Sequence, residues 1–170
     1  DYYQSFPVAE LTFQFNKEIE EDPKEAALTK LLGDVFGYEK YRDGQLEIIE
    51  NVLMGQDTIG ILPTGAGKSI CYQLPGIMKG GTSIIICPIN ALMLDQQYDL
   101  ERIGITRSQV INVDTTDEQK DKIFEELRRG QIRFLFMSPE RMQLPETRRD
   151  IRDASANGVL GYLVIDEAHC

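Results

Sequence analysis

The sequence predicts an α/β three-layer sandwich built on a mainly parallel sheet. Three observations carry that prediction. Apolar runs of strand length alternate with segments of helical period, the order that builds parallel βαβ units. The run Thr82–Pro88 is continuously apolar until its closing proline, as a strand buried on both faces is. A glycine-rich stretch, Thr64-Gly65-Ala66-Gly67-Lys68-Ser69, follows one apolar run directly and opens a helix.

Taken in order, Leu11, Phe13 and Phe15 alternate with polar residues, a weak period of two that suits a strand. Asn16–Pro23 is acidic, ends in Asp-Pro and reads as a linker. From Lys24 the period changes. Ala27, Leu28, Leu31, Leu32 and Val35 form one helical face, which Gly33 and Gly37 weaken or end. A loop with Tyr38 and Tyr41 leads to a second helix with Leu46, Ile49, Val52 and Leu53 inward. Ile59–Leu62 is a strand. A helix then starts at Lys68 and runs to Met78, broken at Pro75-Gly76, before a turn at Lys79-Gly80-Gly81. After the strand Thr82–Pro88 comes a helix from Ala91 to about Arg102. Val110–Val113 is a third strand. Thr115–Arg129 is a charged helix with Ile123, Phe124 and Leu127 inward, capped by Thr116 or Asp117. Ile132–Met137 is a fourth strand, Thr147–Ala156 a polar helix and Leu160–Ile165 a fifth strand.

Composition bounds the function. The chain has 170 residues, 42% hydrophobic and 27% charged, ordinary for one globular domain. No apolar run approaches the ~18 residues of a membrane-spanning helix, so no membrane partner is expected. The first residues lack the basic and apolar regions of a signal peptide, and no Met begins the chain, so it is expected to lie within a longer sequence. Cys71, Cys87 and Cys170 show no C-x-x-C spacing, which argues against zinc and for a reduced, intracellular setting. The net charge of −10 excludes a surface that attracts nucleic acid as a whole. The acid is uneven: residues 1–35 hold eight Asp/Glu against three Lys/Arg, so a local basic groove elsewhere stays open.

The chemistry-bearing residues fall at the carboxyl ends of the expected strands, where parallel sheets hold ligands. In Thr64–Ser69 successive backbone N–H groups curl round an anion and the helix N-terminus adds its positive end. Lys68 supplies an ammonium for outer phosphates and Ser69 a hydroxyl for Mg²⁺. Gly65 and Gly67 allow close backbone approach. The match to G-x-x-x-x-G-K-[ST] lacks its first glycine, replaced by Leu62. The bland alternative is an ordinary turn before a helix. In the loop before it, Tyr38 offers a flat face for a purine and the Gln45 amide can donate and accept at once. Packing tyrosines and a solvated Arg42 explain the same residues, and both readings stand. At the last strand, Asp166 suits Mg²⁺ and Glu167 suits orienting or deprotonating an attacking water. The alternative is a strand-end pair that caps the next helix. His169 gains interest only by adjacency.

Together these residues resemble a known family. Asp166-Glu167-Ala168-His169 is similar to the DEAH-type box of superfamily 2 helicases. Residues 36–45 (F-G-Y-E-K-Y-R-D-G-Q), 62–75 (L-P-T-G-A-G-K-S-I-C-Y-Q-L-P), 85–96 (I-I-C-P-I-N-A-L-M-L-D-Q), 134–142 (F-L-F-M-S-P-E-R-M) and 164–170 (V-I-D-E-A-H-C) resemble the RecQ family of ATP-dependent DNA helicases. The resemblance covers roughly 28–170 and implies a RecA-like phosphate-loop motor domain there, with 1–27 an acidic extension or the end of an upstream domain. It implies ATP and Mg²⁺ as cofactors and single-stranded or partly duplex DNA as partner. It implies unwinding in the 3′–5′ direction in repair or recombination, in a bacterial cytoplasm or a nucleus. Tyr38, Arg42 and Gln45 would recognise adenine. Thr64, Gly65, Ala66, Gly67, Lys68 and Ser69 would hold phosphates and, through Ser69 with Asp166, Mg²⁺; Lys68, Asp166 and Glu167 would be catalytic. Pro88, Asn90, Asp95, Gln96, Ser138, Pro139, Glu140 and Arg141 would touch DNA, and His169 would couple DNA to ATP.

Departures are Ala66 for the middle glycine, Asn90 and Ala91 in the 88–96 segment, and Leu94 where lysine is common. Losing that lysine weakens phosphate contacts. The resemblance also implies an aromatic-rich loop, a further core strand and a second RecA-like domain with arginine fingers beyond residue 170. An alternative function is an ATP-gated nucleic-acid-binding or remodelling protein without processive unwinding. A small-molecule kinase is a third, more distant one.

Overall fold

The computed structural model describes residues 23–63 and 65–168. The expected strand at Leu11–Phe15 and the acidic linker, together with Thr64 and His169, lie outside them. The chain divides into two compact units with the boundary after Met78.

The first unit is helical. Helix α1 (Pro23–Phe36) buries Leu28, Leu31, Leu32 and Val35, the face its period predicts. Gly33 does not break it. The helix ends at Phe36, and Gly37 closes it with a left-handed φ of 74° and a bond from its N–H to the Gly33 carbonyl at 3.0 Å. Helix α2 (Gln45–Leu53) buries Ile49 and, unexpectedly, Gln45.

Helix α3 (Ile70–Met78) starts two residues after Lys68 and runs through Pro75-Gly76, where a break is expected from sequence. Pro75 removes one backbone donor and crowds the preceding turn, a cost of about 3 kcal/mol. Every residue from Ile70 to Ile77 is buried, so burial all round this short helix offsets that cost.

Ile59–Leu62 is the main correction to the expected elements. It is not a strand: among the described residues no ladder pairs with it, and Ile59 and Ile61 are each 91% exposed. An apolar run becomes a strand only when a neighbour takes up its N–H and C=O groups. No described strand does so.

The second unit is a four-stranded parallel sheet, ordered β2-β3-β1-β4, with β1 Thr82–Ile86, β2 Ser108–Ile111, β3 Phe134–Met137 and β4 Leu160–Ile165. Its helices are α4 (Asn90–Arg102), α5 (Asp117–Arg128), the short α6 (Pro139–Gln143) and α7 (Pro145–Ala156). Connections β2–α5–β3 and β3–α7–β4 step one way along the sheet and β1–α4–β2 the other. Right-handed crossovers therefore put α5 and α7 on one face and α4 on the opposite one. Packing agrees: Ile84, Ile86, Leu135 and Met137 share a core with Ile123, Phe124 and Leu127 of α5 and Ile151 and Ala154 of α7. Ile85, Phe134 and Phe136 alternate with these and are fully buried, as are Met93 and Leu100 of α4.

Strands β1 and β3 are buried throughout, as a strand covered on both faces must be. Strand β4 is an edge, and its Leu163 and Ile165 are exposed. The β1–β4 register slips between Thr82 and Ser83, where Gly161 is passed over. A Cβ on Gly81 there would lie 2.7 Å from the Gly161 nitrogen, so the two chains cross at a distance only glycine allows. Thr116 caps α5 in a reciprocal capping box with Gln119.

Candidate functional site

In the first unit the phosphate loop is shaped by the turn that precedes α2. The Gln45 backbone N–H donates to the Arg42 carbonyl at 3.0 Å, and the Arg42 backbone N–H donates to Gln45 Oε1 at 2.8 Å. The turn is thus closed from both sides. From it, Gln45 Nε2 donates to the carbonyls of Ala66 (2.8 Å) and Gly67 (2.9 Å), while the Arg42 guanidinium donates to the Gly65 carbonyl. Three successive carbonyls of the loop are held by two side chains.

Because a peptide is planar and trans, the N–H of each following residue points opposite its carbonyl. The N–H groups of Gly67 and Lys68 therefore face away from Gln45, together, as donors round an anion do. Gly65 and Gly67 have φ of 77° and 71°. Ala66 is not among the left-handed residues, so its methyl stands where any residue fits, and its N–H closes a tight turn onto Pro63 O at 3.1 Å. Lys68 and Ser69 are half-buried in the turn before Ile70. Their carbonyls accept from Cys71 (3.0 Å) and Gln73 (2.8 Å) and so start α3.

Tyr38 is 54% exposed and leaves its ring available. Tyr41 instead donates its hydroxyl to the Leu28 carbonyl at 2.6 Å, fixing the loop to α1. Burial pushes its phenol above the ordinary range, with the neighbouring Cys71 a second cause.

In the second unit all four strands run parallel, so their carboxyl ends form one rim. The Cys87 N–H donates to Met137 O (3.0 Å) and the Asp166 N–H to Ile86 O (2.9 Å). Ser138, Pro88 and Asp166 consequently sit on adjacent strand ends, about 4.8 Å apart per strand. Asp166 Oδ1 accepts the Glu167 N–H at 2.9 Å, which turns the carboxylate back over the strand end. Glu167 has φ 51°, the one non-glycine left-handed residue among those described. Strain of this kind gathers at functional sites.

The segments expected to face DNA are placed unevenly. Ser138 Oγ caps α6 through the Arg141 N–H (3.3 Å), with Pro139 opening the helix. The Glu140 backbone N–H, then the Ser138 hydroxyl, hold the exposed Glu140 carboxyl below the usual range. Arg141 is partly covered and pairs with Glu146 at 3.7 Å. Asn90 opens α4 without a side-chain cap, and Asp95 and Gln96 follow more than a turn later. Leu94, in the place of a lysine, is exposed.

The rim also carries Asn112–Thr115, which sequence reasoning missed. Asn112 Oδ1 accepts from the Asp114 N–H and the Thr115 hydroxyl, both at 3.0 Å. The signal was present, since turn-forming residues directly follow a strand. Beside it lies a groove of about 390 Å³, lined by Gln97, Gln109, Asn112, Thr115 and Lys122 among others.

Known proteins resemble this chain in sequence and in fold. The family model described as DEAD/DEAH box helicase matches residues 42–170. A probable ATP-dependent DNA helicase RecS of Bacillus subtilis is 38% identical over 143 residues, 84% of this chain and 28% of that protein. The ATP-dependent DNA helicase RecQ of Haemophilus influenzae is 38% identical over 140 residues, 82% of this chain and 22% of that protein. The chain thus spans about a quarter of the length of these relatives. Among solved structures, the DUF1998 helicase MrfA bound to DNA and AMPPNP superimposes with a TM-score of 0.68 and 23% identity. It covers 84% of this chain and 20% of that one, a likeness of fold. The chain belongs to the DEAD/DEAH box helicase family, and the relatives it resembles there are RecQ-type DNA helicases.

Proposed function

We propose that residues 28–170 are the ATP-binding part of the first motor domain of an intracellular ATP-dependent DNA helicase. It moves 3′–5′ on single-stranded or partly duplex DNA in repair or recombination, with a second motor domain acting beside it. One observation carries this reading: a glycine loop whose Gly65, Ala66 and Gly67 carbonyls are held on one side, which turns the Gly67 and Lys68 N–H groups to the other. N–H groups turned the same way just before a helix suit an anion. The relatives' names, which include DNA helicase, supply the reaction class.

Each unit contributes its own groups. In the first, the Gly67 and Lys68 N–H groups and the Lys68 ammonium bind the outer phosphates. Tyr38 stacks its exposed ring on adenine, with Arg42 and Gln45 beside it. Of the residues assigned to Mg²⁺, Ser69 belongs to the first unit and Asp166 to the second; each carries the kind of hard oxygen donor that ion takes while keeping several waters. Bound Mg²⁺ would offset the charge that develops on the phosphates. Glu167 orients the attacking water and accepts its proton, its left-handed turn fixing where the carboxylate starts. The Pro88–Gln96 and Ser138–Arg141 segments meet the DNA backbone, and His169 couples that contact to hydrolysis.

The test is ATP hydrolysis by the full protein with and without single-stranded DNA, beside Lys68→Ala. DNA-stimulated hydrolysis is expected to fall on the order of 100-fold in the variant. Hydrolysis indifferent to both DNA and Lys68→Ala would overturn the reading. A second reading, an ATP-gated DNA-binding protein that does not unwind, draws on exposed Leu94 and on Arg141 paired with Glu146. DNA-stimulated hydrolysis without strand displacement would select it.

A further inference from the structure

We propose that Tyr41 is a positioning residue for base recognition: it ties the loop of residues 37–44 to α1 and so sets where the exposed Tyr38 ring meets the base of a bound nucleotide. This role rests on the reading of Tyr38 as a base-stacking residue. It reaches beyond that reading by drawing α1 into nucleotide recognition, through a residue that does not itself face the base.

The observation is how little holds this loop. It leaves α1 at Gly37 and enters α2 at Gly44, both left-handed, with φ of 74° and 81°. Glycine restrains the backbone least of all residues. Tyr38, Glu39 and Lys40 are exposed, and among the described residues none of their side chains makes a hydrogen bond or ion pair. Tyr41 is different. Its hydroxyl donates to the Leu28 carbonyl at 2.6 Å, thirteen residues back in the second turn of α1. Leu28 is 2% exposed, so the loop hangs from a well-packed part of that helix. The Tyr41 phenol also neighbours Cys71, in the first turn of α3.

The geometry gives this bond a consequence. Tyr38 lies one residue after Gly37 and three before Tyr41. Both ends of that span are tied to α1, Gly37 through the Gly33 carbonyl and Tyr41 through the Leu28 carbonyl. The Tyr38 ring therefore projects from a backbone fixed on either side of it. Without the Tyr41 hydroxyl only the Gly37 tie to α1 remains. A phenol whose hydrogen is spent on a backbone carbonyl has no donor left for a base, so its effect on recognition runs through the loop. Arg42 is held separately, by its backbone N–H on Gln45 Oε1 and its guanidinium on the Gly65 carbonyl. The phosphate loop thus keeps its contacts when the Tyr41 hydroxyl is removed. The base side of the site loosens and the phosphate side does not.

The test separates base from phosphate. The full protein is titrated with Mg²⁺-ATP and with Mg²⁺-tripolyphosphate, which has no base. Wild type, Tyr41→Phe, Tyr38→Ala and the double variant are compared. Phenylalanine keeps the ring and its packing and loses only the hydroxyl. Tyr41→Phe is expected to weaken ATP about three- to tenfold, the share of one half-buried hydrogen bond, with tripolyphosphate affinity unchanged. In the Tyr38→Ala background the same change is expected to have no further effect on ATP, because the ring it positions is gone. A general loss of structure would weaken both ligands in either background. Hydrogen exchange in Tyr41→Phe should rise in peptides covering 37–44 while α2 and α3 keep their protection. Three results would each overturn the proposal: ATP affinity equal to wild type in Tyr41→Phe, tripolyphosphate weakened as much as ATP, or additive losses in the double variant. If Tyr38→Ala weakens ATP in the same series, the base-stacking reading survives that failure. Tyr38→Ala binding ATP as wild type does would overturn the base-stacking reading itself, and the proposal with it.

Discussion

Replacing Glu167 by glycine should abolish hydrolysis and yet leave the fold at least as stable as alanine does. Glu167 sits at φ 51°. For a residue with a Cβ the left-handed region costs about 1–2 kcal/mol. Alanine keeps that cost and glycine does not. Glycine also loses more freedom on folding, about 0.5–1 kcal/mol against alanine in a regular element. The difference leaves Glu167→Gly roughly 0.5–1 kcal/mol more stable than Glu167→Ala. The bond from the residue 167 N–H to Asp166 Oδ1 is a backbone bond, so both variants keep it. For a chain of this size the gap is about 1–4 °C in the unfolding midpoint. The assay is a thermal or urea unfolding series on both variants, with phosphate release measured alongside. Both should lose phosphate release alike, since both lack the carboxylate. A Glu167→Gly variant less stable than Glu167→Ala by more than about 0.5 kcal/mol would refute the view that this turn is strained.

Thr116→Ala should cost about 1 kcal/mol by opening the capping box of α5, read as a lower urea midpoint with unchanged slope, whereas Thr115→Ala should not touch that box. Stability should also fall above pH 9. Burial pushes the Cys71 thiol from its ordinary 9.0 up to about 11, and Tyr41 is raised too, first by burial and then by Cys71. The folded chain therefore keeps protons that the unfolded chain releases. This share of stability is whole below pH 9 and is lost as pH climbs toward 11. Urea midpoints of wild type should drop between pH 8 and 10 more than those of Cys71→Ala; parallel profiles would show that Cys71 does not titrate as its burial demands.

Much of the fold was legible because its strongest signals are local. The continuous apolar run at Thr82–Ile86 became a strand buried on both faces, and the period of Thr116–Leu127 became a capped helix facing the core. The failures share a cause. Ile59–Leu62 has the composition of a strand, but strand formation depends on a neighbour that composition does not report. Pro75 has the local chemistry of a break, but burial on all sides of α3 outweighs it. Leu160–Ile165 is a strand as its composition predicts, yet Leu163 and Ile165, two apart on one face, are exposed, and composition does not report which face is covered.

The site shows the same division more sharply at Gln45. The sequence supports an amide that donates and accepts, and a purine edge satisfies that chemistry. Two loop carbonyls and a backbone N–H satisfy it equally well. No periodicity brings Gln45 to Ala66, a separation of 21 residues. One local clue did exist, because Arg42 and Gln45 have the three-residue spacing at which a side chain bonds back to a helix-entry N–H. That bond orients the amide, and orientation decides which partners its hydrogens find. Once Oε1 is fixed on Arg42, Nε2 must point at the loop, and the loop's glycine at 67 leaves the space for it. The two loop contacts that Gln45 makes thus depend on the backbone N–H of the residue three positions back.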